Sequence, residues 1–345
     1  MKNDVRVSVV VVTYENPEEV RECLLALQQQ TLDYELIVID NSISNEVARL
    51  VSREFASARL YREGINDGYA GGNNRGLAYA HGQSILVLNP DTVPAPTALE
   101  AMLETLHRHP GSLVTAKLIG GDGRVNACGN QMHVSGLVTC QGLGDDPKSW
   151  VGDREVFLAS GAAIMSDRET WQSLGGFDEA YFLYMEDADL SLRARLAGRT
   201  VWCACDSQIV HRYALKMTAD KFYWLYRNRK ITMQKIFQPE TLRNRWGAIA
   251  VTEGLIGLFA ISKGPRYVRS LWKAHRWLRI HHGYVLRQQQ TIQHRRVIAD
   301  DVLNAWLIHP LPYDQLVGNV RLRRLLQVVT GLFFRWALDR SEQTL

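Results

Sequence analysis

Residues 5–42, VRVSVVVVTYENPEEVRECLLALQQQTLDYELIVIDNS, decide the fold. Val5–Val12 is a valine-rich run with no polar face, as expected of a strand buried on both sides. Pro17 opens a helix at its first turn, running to about Gln30 with Val20, Leu24 and Leu27 on one face. Glu35–Ile39 is a second apolar strand, ending at Asp40-Asn41-Ser42. The alternation continues with a helix over about Asn45–Phe55, a strand at Ala58–Tyr61, a helix over residues 72–81 and a strand at Ser84–Leu88. Short strands alternating with helices make an α/β fold, a mostly parallel sheet between two helical layers. Ligands of such sheets bind beyond the carboxyl ends of the strands. Thr13-Tyr14-Glu15, Asp40-Asn41 and Asn89-Pro90-Asp91 occupy those ends.

Residues 112–165 read as strands and glycine-rich turns that complete a mixed sheet. Ser160-Gly161-Ala162-Ala163 precedes a helix at about 167–174, and Thr200–Cys205 is a further strand. Ile209-Val210-His211 leads into a helix at about 218–237, and the domain is expected to close near Pro239. The division predicted is residues 1–239 as the α/β domain and 240–345 as a basic, amphipathic helical extension.

The chain has 345 residues, 46% of them hydrophobic and 22% charged, enough to bury a substantial core. Its net charge of +4 is unevenly spread, with a balance of −6 over residues 1–240 and +10 over residues 241–345. That asymmetry suits an acidic-leaning head and a tail that seeks phosphate or membrane surface. The five cysteines form no CxxC pair, which argues against a structural zinc site or a disulfide framework and for reduced thiols in the cytoplasm. The first apolar run is too short for a secretory signal. No stretch reaches the ~18 uninterrupted apolar residues of a clear spanning helix, and the nearest, Trp246–Ile261, carries Glu253.

Three carboxylates crowd into Glu186-Asp187-Ala188-Asp189-Leu190, behind an aromatic, glycine-led run from Gly175 to Tyr184. Leu190, Leu192 and Leu196 with Arg193 and Arg195 suit the start of an amphipathic helix, where acidic residues favour the positive end. Asp189 reads as a helix-start or loop-holding residue. Asp40, Asp91 and Asp187 together suit transfer chemistry. A carboxylate at a strand end accepts the imide N–H of uracil or thymine, and one on the fourth strand holds Mg2+ or Mn2+ against phosphates. A third, across the cleft, takes a proton as general base.

At this point the residues resemble a known family. Val9–Tyr14, Val38–Ser42 and Asn66–Gly76 resemble the opening blocks of family 2 glycosyltransferases. Leu88–Asp91, Ser160–Ala162, Gly175–Glu179 and Glu186–Leu190 extend the likeness in the same order. The combination is most similar to the rhamnosyltransferase-like branch, bacterial enzymes that build lipid-linked or cell-wall polysaccharides. The resemblance implies a GT-A fold, a divalent metal (Mg2+ or Mn2+) and inversion at the anomeric carbon. It implies that Thr13, Tyr14, Glu15 and Asp40 bind base and ribose, and that Asn66, Gly72 and Asn74 line the nucleotide-sugar site. Asp91 matches the last, metal-binding aspartate of the DxD element, Asp187 the catalytic base with Glu186 beside it, and His211 a further metal ligand. Where many members have three acidic residues at the DxD site, Asn89 and Pro90 precede Asp91 here, a form associated with dTDP-L-rhamnose as donor. UDP-galactofuranose, a UDP-hexose or a UDP-N-acetylhexosamine are the alternative donors, and an inactive glycan- or nucleotide-binding scaffold is the non-enzyme reading. The implied acceptor is a polyprenyl-linked or cell-surface glycan.

In the tail, Arg266, Arg269, Lys273 and Arg276 recur at spacings of three and four, with Val268, Leu271, Trp272, His275 and Leu278 expected on the other face. A cationic, tryptophan-rich amphipathic helix is expected on an anionic membrane surface, placing the protein in the cytoplasm, peripheral on the inner face of the cell membrane. Later helices, about Ile298–Ile308 and Leu316–Leu338, are expected to continue the pattern or to form a homo-oligomer. Thr13-Tyr14-Glu15-Asn16 lacks the glycines of a dinucleotide fingerprint, which argues against an oxidoreductase. No recognition module supports a nucleic-acid partner.

Overall fold

The computed structural model describes residues 6–212 and 216–316, together with residues 323 and 327. The described chain forms two compact units, one of residues 6–130 and 140–212 and one of residues 131–139 and 216–316. The elements of the first are β1 (Val7–Thr13), α1 (Pro17–Leu27), β2 (Tyr34–Asp40), α2 (Glu46–Glu54), β3 (Arg59–Tyr61), α3 (Gly68–Tyr79) and β4 (Ser84–Leu88). There follow β5 (Thr92–Pro94), α4 (Ala98–Arg108), β6 (Leu113–Ile119) and β7 (Val125–Cys128). A short pair, β8 (Asn130–Met132) with β9 (Val138–Cys140), falls mostly in residues 131–139 of the second unit; the first continues with β10 (Asp153–Glu155), β11 (Ala163–Asp167), α5 (Arg168–Leu174), α6 (Glu186–Leu196) and β12 (Val201–His211).

The sheet runs β10-β12-β6-β11-β4-β1-β2-β3, with β5 on β12 and β7 on β6. β1 pairs in parallel with β2 and β4, whereas β11 enters antiparallel between β4 and β6. Every residue of β1 is buried, which explains why valines fill five of its seven positions. Alternate side chains serve two cores. Val7, Val9 and Val11 meet Leu24 of α1, Leu50 of α2 and Met102 of α4, while Val10 and Val12 face the core of Ala70, Trp171, Leu190 and Ala194 from α3, α5 and α6.

Several elements differ from expectation. α3 begins at Gly68, four residues before the predicted start, because Gly72 and Gly76 are a packing face. A Cβ there would come within 2.6 Å of Val12 Cγ1 and 2.1 Å of Val10 Cγ1 respectively, so only glycine lets the helix lie this close to β1. The two strand segments before and after residue 206 are one strand, β12, joined through a bulge between Ala204 and Gln208. α6 is buried on almost every side, so it is not amphipathic. Its arginines are neutralised internally: Arg195 donates to Phe157 O at 2.8 Å and pairs with Glu155, and Arg193 pairs with Asp189.

The second unit contains α7 (Ala219–Ile236), α8 (Pro239–Asn244), α9 (Trp246–Lys263), α10 (Pro265–Ile280), α11 (His282–Arg295), α12 (Asp300–Asn304) and α13 (Tyr313–Leu316). The predicted division at 239 falls inside this unit. Pro239 only starts a new helix, and α7 is tied to α9 and α10. Arg229 and Lys230 pair with Glu253, and the Tyr226 hydroxyl donates to Glu253 at 2.7 Å and meets His275 Nε2 at 2.9 Å. The guanidinium of Arg227 stands 4.4 Å from the ring centroids of both Trp224 and Trp277. The helix expected over Ile298–Ile308 is only the five residues of α12, because Ile308 leaves it to form a β-bridge with His133. Most of the predicted Leu316–Leu338 helix lies outside the described residues.

Candidate active site

The carboxyl ends of β2, β1 and β4 lie side by side, with Thr13 opposite Asp40 and Val11 opposite Leu88. Asp40 is fully buried. Its Oδ1 accepts from the Thr13 hydroxyl at 3.3 Å and the Ser42 N–H at 2.9 Å, and Arg62 Nε forms an ion pair 3.3 Å from Oδ2. Beside it Tyr14 is half exposed, a ring at the mouth of this rim. Glu15 has φ 55°, and its carboxylate accepts from the N–H groups of Ile43 and Ser44 at 2.8 and 3.1 Å and from the Ser44 hydroxyl at 2.5 Å. Those Ser44 bonds hold its pKa below the usual carboxylate value. Glu15 therefore ties the loops after β1 and β2 together.

The side chains of the glycine-rich stretch are engaged within the fold. Asn66 Oδ1 accepts from Gly68 N–H at 2.9 Å and starts α3. Gly72 packs on β1. Asn74 is spent on the aromatic loop, its amide donating to Phe177 O and Glu179 Oε1 and its oxygen accepting from Phe177 N–H, each at 2.9 Å. Tyr69, in the same stretch, reaches the site instead. Its hydroxyl donates to Gly161 O at 2.5 Å. Burial, then the charges of Glu186, Asp187 and Asp91, push that hydroxyl well above its ordinary pKa.

The chain enters α6 through Phe182, Tyr184 and Met185, all with φ between 63° and 70°. For non-glycine residues this backbone stores strain, of order 1–3 kcal/mol each, and it aims the first turn of α6 at the strand ends. Asp187 Oδ2 accepts from Gly161 N–H and Oδ1 from its neighbour's N–H at Ala188, each at 2.8 Å. Glu186 is buried, and its Oε2 has no hydrogen-bond partner among the described residues. Burial pushes both carboxyls up, Glu186 the further because the Asp187 charge adds to it. Asp189 accepts from the Tyr181 hydroxyl at 3.1 Å and Arg193 Nε at 2.8 Å, and Arg193 goes on to Leu174 O and Gly176 O. It holds the loop, as expected.

Opposite these acids, β5 pairs antiparallel with β12, setting His211 against Thr92, and Arg212 N–H donates to Asp91 O at 3.1 Å. His211 Nδ1 meets Asn126 Oδ1 at 3.1 Å, and its Nε2 lies 3.5 Å from Asp91 Oδ2. The contact with Asn126 orients the ring so that Nε2 turns to the Asp91 carboxylate. Asp91 Oδ1 and Asn89 Oδ1 are buried acceptors without a hydrogen-bond partner among the described residues. Buried carboxylate and amide oxygens left without a partner, with His211 against the Asp91 carboxylate, fit a hard divalent cation. Asp91, Asn89 and His211 are the residues to hold one.

Residues 8–168 match the model of the family described as glycosyl transferase family 2. These residues are a family 2 glycosyltransferase domain. The chain is 26% identical over 266 residues to an N-acetylglucosaminyl-diphospho-decaprenol L-rhamnosyltransferase of Mycobacterium tuberculosis, covering 70% of this chain and 86% of that one. It is 24% identical over 258 residues to a low-salt glycan biosynthesis hexosyltransferase of Haloferax volcanii, covering 71% and 80%. Its fold is that of the GT-A glycosyltransferases: it superposes on GalNAc-T7, crystallised with UDP, GalNAc and Mn2+, with a TM-score of 0.58 at 15% identity, covering 72% of this chain and 52% of that one.

Of the residues predicted for the site, the glycosyltransferase fold groups Asp91, His211, Glu186 and Asp187, and keeps Thr13, Tyr14 and Asp40 on the neighbouring strand ends. Glu15, Asn66, Gly72 and Asn74 hold the loops and α3 in place. Tyr69 and Gly161 adjoin Asp187, Asn126 meets His211, and Asn89 stands two residues before Asp91 with an unpartnered Oδ1 among the described residues. Tyr69, Asn89 and Gly161 lay within the motifs quoted from the sequence, whereas nothing in the sequence marks Asn126. The thiols of Cys128, Cys203 and Cys205 also gather, their sulfurs within 4.8 Å of one another in the core, although no CxxC spacing announces them.

Proposed function

We propose that this glycosyltransferase moves L-rhamnose from dTDP-L-rhamnose, with inversion, to a hydroxyl of a polyprenyl-linked or cell-surface glycan. The observation that carries the reading is the convergence of two acidic groups on Tyr69: Asp91 with His211 from the strand ends, and Asp187 with Glu186 from α6. Thr13, Tyr14 and Asp40 take the nucleoside, with Asp40 accepting the imide N–H of thymine. Asp187 takes the proton of the acceptor hydroxyl, its orientation fixed by Gly161 and Ala188. The new bond forms from that oxygen to the anomeric carbon as the bond to the diphosphate breaks on the opposite face. Glu186, unpartnered at Oε2 among the described residues, orients the acceptor or sugar. Asp91, Asn89 and His211 would hold a divalent cation, Mg2+ or Mn2+, which would supply positive charge beside the departing nucleoside diphosphate. Developing oxocarbenium charge between these anionic groups is stabilised, by analogy with glycoside hydrolysis.

The rhamnosyl donor is supported by Asn89-Pro90-Asp91 and by the rhamnosyltransferase named among the relatives. Its acceptor, diphospho-decaprenol-linked, supports work on the cytoplasmic face of a membrane. The test is a thermal-shift panel of dTDP, UDP and GDP with and without Mg2+ or Mn2+, followed by transfer assays. Those assays compare dTDP-L-rhamnose with UDP-galactofuranose, UDP-hexoses and UDP-N-acetylhexosamines. A ligand at a hundredfold its Kd stabilises the native state by about 2.7 kcal/mol, a readable shift. Preference for UDP and a UDP-sugar rejects the rhamnosyl donor and leaves the transferase reading standing.

A further inference from the structure

The expected amphipathic division of α10 is not the one found. Ser270 and Ala274 form its buried stripe, with the Ser270 hydroxyl donating to Ala219 O at 2.9 Å. Val268 and Trp272 face outward beside Arg269, Lys273 and Arg276, and the Arg276 guanidinium stands 5.7 Å from the centre of the Trp272 ring. Across the Gly264–Pro265 turn, the end of α9 presents Leu258 and Ile261 in the same way. Leu258 is 66% exposed, Ile261 69% and Trp272 62%. Residues 254–299 contain nine Lys and Arg and no Asp or Glu.

We infer that this mixed apolar and cationic face, the end of α9 with α10, docks on an anionic lipid surface. Large exposed side chains are costly to leave in water unless something covers them. A surface of lipid phosphates matches both halves of the pattern: the rings and branched chains enter the headgroup boundary while the basic groups meet phosphate. A second copy does not suit it, because a two-fold contact would set an all-basic patch against itself. A spanning arrangement does not suit it either. α9 has the length and composition to cross a bilayer, with a mean hydropathy of 1.2, but Glu253 holds it along α7 through Arg229, Lys230 and Tyr226. Crossing would strip that carboxylate of its partners in hydrocarbon. The helices therefore lie in the interface. The inference rests on the proposed acceptor only for its purpose, since a lipid-linked substrate is met at a bilayer.

The test is flotation of the full chain with vesicles of phosphatidylcholine alone or with about a third phosphatidylglycerol, at low and high salt. Binding to the anionic vesicles only, weakened by salt, is expected. Lys273→Ala with Arg276→Ala lowers the partition coefficient on the order of thirtyfold, at about fivefold per basic residue. Ile261→Ser with Trp272→Ser weakens binding at both salt concentrations. All four sites are exposed, and an unchanged circular dichroism spectrum confirms folding. Equal binding to neutral vesicles, no binding, no response to either pair, or competition by duplex DNA overturns the inference, as does self-association that these variants abolish. Transfer to a soluble acceptor analogue keeps the two proposals apart. Vesicle binding lost with transfer retained rejects only the docking face, and transfer absent with vesicle binding retained rejects only the proposed function.

Discussion

The imidazole Nε2 of His211 lies 3.5 Å from Asp91 Oδ2, although the two residues come from different strand ends. The contact of His211 Nδ1 with Asn126 Oδ1 fixes the ring in that orientation. Asp91→Asn is expected to abolish the Mn2+-dependent part of the thermal shift given by dTDP. His211→Gln is expected to raise the Mn2+ concentration at half-effect by about 10–100-fold. An unchanged Mn2+ titration in both variants would remove these residues from the metal site.

Asp187 is the group whose geometry suits proton removal. Asp187→Asn should lower kcat by about 10²–10⁴-fold, the range of general base catalysis, while dTDP binding measured by calorimetry stays intact. Gly161→Ala should act through the same carboxylate, because the new Cβ would lie 3.3 Å from Asp187 Cβ and Oδ2. The displaced carboxylate should cost up to about a hundredfold in kcat. Full activity in the glycine variant would show that this contact does not position the base.

The acid pair also dictates a pH dependence. Both carboxyls have folded-state pKa values raised by burial, so the base becomes active only as pH rises through that raised value. kcat should therefore climb on the alkaline side of the normal carboxylate range. For stability the sign is the reverse. The folded protein holds its proton more tightly than the unfolded chain, so this contribution is full below the ordinary carboxylate pKa and is lost as pH rises through the folded value. Glu186→Gln should melt at a higher temperature than the wild type at neutral pH, with the gap closing towards pH ~4. A constant gap across pH would contradict the buried, raised Glu186.

Asp40 has three partners that a neutral side chain serves poorly. Asp40→Asn leaves Arg62 without its counter-charge and should weaken dTDP binding by about 1.5–3 kcal/mol, roughly 10–150-fold in Kd. Calorimetric titration measures it, and equal loss for dTDP and a nucleobase-free diphosphate would place Asp40 outside the nucleoside site.

Gly76 tests the packing of α3. Its alanine variant would bring a Cβ to 2.1 Å from Val10 Cγ1, an overpacking cost of about 1–3 kcal/mol against the ~1 kcal/mol that alanine adds to a helix. A net loss of stability on denaturant titration is expected.

The fold was largely legible, because periodic burial leaves its mark locally. Val7–Thr13 is apolar at most positions since both its faces are covered, Asp40 is the last residue of β2, and Asp91 lies three residues beyond β4. The start of α6 was legible for a similar reason: its acids sit where a helix begins. What α6 packs against was not. A run with arginines at 193 and 195 looks half-solvated until the carbonyls and carboxylates that neutralise them arrive from distant segments.

The amino-acid order by itself determined the strand–helix alternation, the rim of polar residues after the strands, and the placing of Glu186 and Asp187 at a helix start. These are local properties of a chain that must bury apolar side chains and satisfy helix ends. Only the tertiary structure decided that Asn74 meets the aromatic loop and Gly72 packs on β1, that Tyr69 meets Gly161 and Asn126 meets His211, that Cys128, Cys203 and Cys205 gather, and that Trp272 faces outward with the arginines. Each of those depends on which surfaces come together over long sequence separation. Spacing along one segment carries no record of that.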